Sequence, residues 1–105
     1  MATDITLRDS HDYDLNSDNA WIELYPPLLA LARHFVYLFK VPCWEGQEGD
    51  IAEDIVQETA RRIIERSRKA EQGWATPIHS HKRMMITIAC NYCRDMRRHD
   101  CRLGI

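Results

Sequence analysis

Nowhere in the 105 residues is there an apolar run near the roughly 18–20 residues that a bilayer-spanning helix needs. The beginning, MATDITLRDSHDYD, also lacks the basic and then apolar stretch of a secretory signal and carries acids instead. These absences predict a cytoplasmic protein with no membrane partner. Glycine and proline are scarce at four each, and low-complexity and repeated segments are missing, so neither a flexible linker nor a repeat array is expected. No segment alternates apolar and polar residues between turn formers, which argues against a sheet. The four cysteines, Cys43, Cys90, Cys93 and Cys101, are read as free thiols or metal ligands rather than a disulfide framework, because the cytosol keeps thiols reduced.

Catalytic patterns are lacking too. The five histidines have no HExxH context and no serine or aspartate partner, so no nucleophile and base can be named. The chain is therefore expected not to be an enzyme and to need no cofactor. Cys90-x-x-Cys93 with His99 and Cys101 offers the right ligand types for zinc, but helical spacing turns Cys93 inward and Cys90 toward the polar side. Thiols in or beside the core are the simpler expectation.

What the chain does have is a strong division of charge beneath a net charge of -2. Residues 1–58 hold 12 acids against 3 bases, and residues 59–105 hold 4 acids against 11 bases. Such polarity suits a protein that meets a polyanion on one side and another partner on the other, although solvation alone also accounts for charged faces.

Apolar periodicity divides the chain into three helices. Residues 1–18 read as a flexible acidic leader. With Ser17 or Asp18 as cap, AWIELYPPLLALARHFVYLF reads as the first helix, which Pro26 and Pro27 either kink or open. VPCWEGQEGD is a connection, and DIAEDIVQETARRIIERSRKAEQ is the second helix, with Asp50 as its expected cap and Glu53 completing a capping box. After the loop GWATPIHSH, a third helix covers about residues 82–99. The expected fold is all-α, a small bundle of three to four helices over residues 19–100.

On the second helix, Ile51, Ala52, Ile55, Val56, Thr59, Ala60 and Ile63 share an inner side, and Asp54, Gln57, Glu58, Arg61 and Glu65 share the outer one. That outer stripe is either a solvated face, with Glu58 and Arg62 paired, or a protein-binding patch in which Gln57 sits among carboxylates. On the third helix, Met85, Ile88, Ala89, Tyr92 and Met96 face inward, while Thr87, Asn91, Arg94 and Arg98 line the outside with Arg97 at the margin. His79, His81, Lys82 and Arg83 gather at its N-terminal end, where free backbone N–H groups favour anions. A basic helix of this kind fits a phosphate backbone, a partner protein or a solvated surface.

Three segments in order carry a resemblance: WIELYPPLLALAR at residues 21–33, AEDIVQET at 52–59 and ITIACNYCRDMRR at 86–98. Together they resemble region 2 of extracytoplasmic-function (ECF) RNA polymerase sigma factors. The resemblance implies that Asp54, Gln57 and Glu58, with Arg61 nearby, dock on the β′ clamp helices of core RNA polymerase. It also implies that residues 74–83 and the outer face of the third helix recognise the −10 promoter element. There a base of the non-template strand flips into a protein pocket while basic residues hold the phosphates. Trp74, His79, His81, Lys82, Arg83, Thr87, Asn91, Arg94, Arg97 and Arg98 are the implied promoter-DNA residues. An anti-sigma factor is a further implied partner. The family usually has an aromatic residue where Met84 stands and an arginine where Cys90 stands, so base choice is left open. Nothing resembles the second, −35-reading domain of such factors, and residues 101–105 are read as a tail toward one. The rival expectation is a sigma-like helical interaction module that binds polymerase or an anti-sigma factor without reading DNA.

Overall fold

The structure, a computed structural model, describes Leu15, residues 17–78 and residues 80–104, the last four by backbone alone. Its described elements are α1 (Asp18–Phe39), a short 3-10 turn (Pro42–Trp44), α2 (Glu48–Glu71) and α3 (His81–Gly104). The all-α bundle expected from periodicity is thus what forms. The described residues contain no helix long and apolar enough to cross a membrane.

α1 runs unbroken through Pro26 and Pro27, with Ser17 as its N-cap residue. It ends in an αL turn: Lys40 takes φ 47° and its N–H donates to the Val36 carbonyl at 3.2 Å. A non-glycine residue in that conformation carries a local strain of about 1 kcal/mol, so tertiary contacts must hold the turn in place. They come from the segment that follows. The sequence treats residues 41–50 as a plain connection, yet Val41 and Trp44 are buried. The Trp44 indole N–H donates to the Asp100 carboxylate near the end of α3. This link therefore belongs to the core.

Two helix boundaries differ from the expected ones. α2 starts at Glu48 with Gln47 as cap residue, its first turn closed by Ile51 N–H to the Gln47 carbonyl at 2.9 Å. Asp50 consequently lies in the first turn, where its charge meets the positive end of the helix dipole, and is not the cap. α3 continues to Gly104 rather than stopping near residue 99. Of the leader, residues 1–14 and 16 lie outside the described residues, and Leu15 is buried with its carbonyl accepting the Trp21 indole N–H at 2.9 Å.

The core forms where the apolar stripes of the three helices meet. Leu24, Leu28, Leu31, Ala32 and Val36 come from α1, and Ala52, Ile55, Val56, Thr59 and Ile63 from α2. α3 contributes Met85, Ala89 and Cys93 as its most buried residues, with Ile88, Tyr92 and Met96 packed half-buried beside them. Cys93 does turn inward, and burial pushes its thiol up to about 12. Since the thiolate is the reactive form, a thiol reagent at mildly alkaline pH should modify exposed Cys43 and spare Cys93 until denaturant is added. Mass spectrometry of the labelled peptides reads this directly.

Candidate protein and nucleic-acid interface

The outer stripe of α2 is built as the spacing predicts. Asp54, Gln57 and Arg61 are exposed on successive turns, and Glu58 between them is half-buried. Glu58 is engaged on both sides: Arg61 Nη2 lies 2.5 Å and Arg62 Nε 2.8 Å from its carboxylate. These two guanidinium groups hold its pKa down at about 2. Arg61 also reaches Glu65 at 3.4 Å, and Arg62 places its guanidinium over the Tyr92 ring at 5.1 Å. Glu58 therefore orders Arg61 and braces α2 against α3, leaving Asp54 and Gln57 with open outward groups for a partner.

Because the folded-state pKa of Glu58 is depressed, its contribution to stability is complete above the ordinary carboxylate value of 4.5 and is lost as pH falls toward 2. Glu58→Gln should accordingly lower the thermal midpoint slightly at neutral pH and leave it unchanged near pH 2, read by circular dichroism melts at both pH values.

The turn after α2 sets up the second surface. Gly73 adopts φ 81°, its N–H donates to the Ala70 carbonyl at 3.1 Å, and the Trp74 N–H donates to Lys69 at 2.8 Å. This is a Schellman ending, in which the residue after the glycine ordinarily folds its side chain back on the helix. Trp74 does not: it is 82% exposed. A large aromatic ring held by a fixed backbone yet open to solvent suits stacking on an unpaired base.

From there the chain passes over α2 to α3, and a cleft of about 550 Å³ opens between them. Arg66, Thr76, Ser80, Arg83, Met84 and Thr87 line it. Arg66 Nη2 donates to the Thr76 hydroxyl at 3.1 Å, while its buried Nη1 has no hydrogen-bond partner among the described residues. Ser80 caps α3 by accepting from the Arg83 N–H at 3.2 Å. The cleft thus combines an apolar wall with hydroxyls and an arginine donor, a set that accepts a planar polar group.

Along α3, Thr87, Asn91, Arg94 and Arg98 are all exposed. Arg98 lies 3.7 Å from Asp95 with both side chains largely in water, an arrangement of little energetic weight that leaves its guanidinium available. Lys82 is half-buried and Arg83 exposed.

One of the expected DNA residues is buried, and another is engaged within the bundle. His81 is only 5% exposed, because it precedes Met85, Ala89 and Cys93 at four-residue steps on the inward face. It faces the core and not the outer surface of α3. Arg97 is exposed but sets its guanidinium over the Phe39 ring at 5.1 Å, tying α3 to the end of α1. His79 lies outside the described residues. Conversely, Arg66, Thr76 and Ser80 were not among the expected residues, and it is the loop closing back on α2 that brings them together.

Among the described residues no three His, Cys, Asp or Glu side chains are grouped to hold a metal ion, and the Cys101 side chain lies outside that description. No protein-family model, curated protein or solved structure matches this chain.

Proposed function

We propose that this chain is a transcription-initiation domain of the ECF sigma region 2 type, docking on core RNA polymerase and capturing the non-template strand of the −10 promoter element. The observation that carries the reading is the pairing of two distinct outward surfaces on adjacent helices. One presents Asp54 and Gln57 beside an arginine ordered by Glu58. The other presents Trp74, a cleft holding Arg66, and the Asn91, Arg94 and Arg98 face.

The division of work follows from the chemistry. Asp54 accepts and Gln57 both donates and accepts, so together they match a polar helical partner such as the clamp helices of β′. Arg94 and Arg98 hold phosphates, Trp74 stacks on an unpaired base, and the cleft receives a flipped one. Met84 lines that cleft, so the wall against the base is a flexible thioether rather than an aromatic plane. The role is capture of an opened strand and involves no bond chemistry. The chain is expected to act in the cytoplasm, where the polymerase is.

Docking is tested by titrating the chain against a fragment bearing the β′ clamp helices. Asp54→Ala and Gln57→Ala should each weaken binding about tenfold, the scale of a central polar contact at an interface. Both residues are exposed, so the helical content should be preserved. Unchanged affinity in both variants would remove the docking assignment.

A further inference from the structure

If the cleft between α2 and α3 receives a flipped base, the polar atoms on its wall decide which bases fit. Among the described lining residues, Arg66, Thr76, Ser80, Arg83 and Thr87 are polar, and none is a carboxylate or a carboxamide. Hydroxyl oxygens are therefore the strongest side-chain acceptors there, and two of them are already engaged. Thr76 Oγ1 accepts from Arg66 Nη2 at 3.1 Å, and Ser80 Oγ accepts from the Arg83 N–H at 3.2 Å. The wall is rich in donors and poor in acceptors.

The bond between Arg66 and Thr76 also sets directions. Because the Thr76 oxygen accepts it, the hydroxyl proton is left to be given to another group. Beside it stands a second donor: Nη1 of the same planar guanidinium is buried and has no hydrogen-bond partner among the described residues. A buried cationic donor that water does not reach is unfavourable until an acceptor meets it. Arg66 as a whole is half-buried, so its guanidinium can turn about its stem toward a group in the cleft. Pro77, Ile78 and Met84 supply the apolar part of the wall, against which the face of a ring packs.

Two donors side by side discriminate between base edges. Guanine and thymine present a keto oxygen, O6 with N7 next to it or O4, where adenine and cytosine present an amino group. A keto oxygen accepts from the guanidinium and the hydroxyl together, whereas an amino group sets donor against donor and leaves both unpaired. We infer that the Arg66–Thr76 pair makes the cleft selective for a keto base, guanine or thymine, with Arg66 as the specificity-determining residue. This rests on the proposal that the cleft is the pocket for a flipped base.

Fluorescence anisotropy of single strands that differ at one base tests it. The host is a labelled oligodeoxyadenylate of about twelve nucleotides. Its central base is replaced in turn by thymine, guanine, cytosine or hypoxanthine, the last carrying a keto oxygen where adenine has its amino group. Thymine, guanine and hypoxanthine should each raise affinity about tenfold over the host, the scale of one matched base contact, and cytosine should not. Arg66→Gln should erase that gain while keeping affinity for the host, because a carboxamide pairs with adenine N6 and N7. Thr76→Val, at an exposed position, should reduce the keto preference to about threefold. If circular dichroism shows that Arg66→Gln loses helix, Thr76→Val carries the test, and a keto preference it leaves at full strength overturns the inference. Equal affinity for all the strands, with a salt dependence showing that phosphates are held, would overturn it and leave strand capture standing. Failure to bind any single strand would instead remove strand capture itself, and the base preference with it.

Discussion

Trp44→Ala should cost this bundle about 3–5 kcal/mol, the range for truncating a large buried aromatic residue. Trp44 is 2% exposed, so nearly the whole indole volume becomes a cavity between the α1 end, the 3-10 turn and α3. The loss is compounded because the Asp100 carboxylate, half-buried, gives up the indole N–H it accepts. It also frees the αL turn at Lys40, whose strain is offset only by packing of the residues that follow. Domains have roughly 5–15 kcal/mol of stability in all, so the variant should unfold in urea at a far lower midpoint. Trp44→Phe separates the two contributions: most of the volume stays and only the donor goes, so its cost should be about 1–2 kcal/mol. Equal costs for the two variants would mean that the hydrogen bond, and not the packing, holds this corner.

The second large effect is expected on the α3 face. Arg94→Ala combined with Arg98→Ala removes two exposed guanidinium groups without touching the core. If each neutralises one phosphate of a captured strand, the dependence of log K on log salt should become shallower by about 1.4, and affinity at moderate salt should fall roughly tenfold. Fluorescence anisotropy of a labelled −10-type single strand, titrated at several salt concentrations, gives both numbers. Arg97→Ala should behave differently. Its guanidinium already packs on Phe39, so the variant should lose stability and change the salt slope less. A double variant with the wild-type slope would mean that this face does not hold phosphates.

The contrast between Arg94 and Arg97 also shows what was legible in the sequence. Faces of long helices were, because burial repeats every three to four residues: the inner and outer sets of α2 are found as the spacing predicts. His81 was misread, although the same rule applies to it. Its charge chemistry at a helix start suggested exposure, while its four-residue step to Met85, Ala89 and Cys93 already put it on the inward face. Trp44 was not legible. Its surroundings read as a turn, and its hydrogen-bond partner lies 56 positions further along, where no local pattern reaches. The same holds for the cleft, since Arg66 looks like one of several bases ending α2 until the loop after Gly73 brings Thr76 and Ser80 to it. Asp50 failed as a cap for a simpler reason: the chain enters the helix earlier, at Glu48, so that Asp50 serves the helix dipole instead.

These placements also sharpen the choice between a strand-reading domain and an interaction module that binds polymerase without DNA. With His81 inside and Arg97 on Phe39, the proposed strand capture would fall to Trp74, Arg66 with its cleft, Asn91, Arg94 and Arg98. This is a smaller set, but each member is open to solvent or lines the cleft.

If, as proposed, one chain joins core polymerase to the −10 strand, a bridging measurement shows it most directly. A labelled non-template −10 oligonucleotide is mixed with core RNA polymerase, with and without the chain, and the polymerase-sized complex is read by anisotropy. The chain should bring core onto the strand. Asp54→Ala with Gln57→Ala should abolish the large complex while the chain alone still binds DNA, and the Arg94 and Arg98 double variant should lose the strand while still binding core. A chain that binds core but never the strand, with Arg94 and Arg98 immaterial, would contradict the account and leave a protein-interaction module in its place.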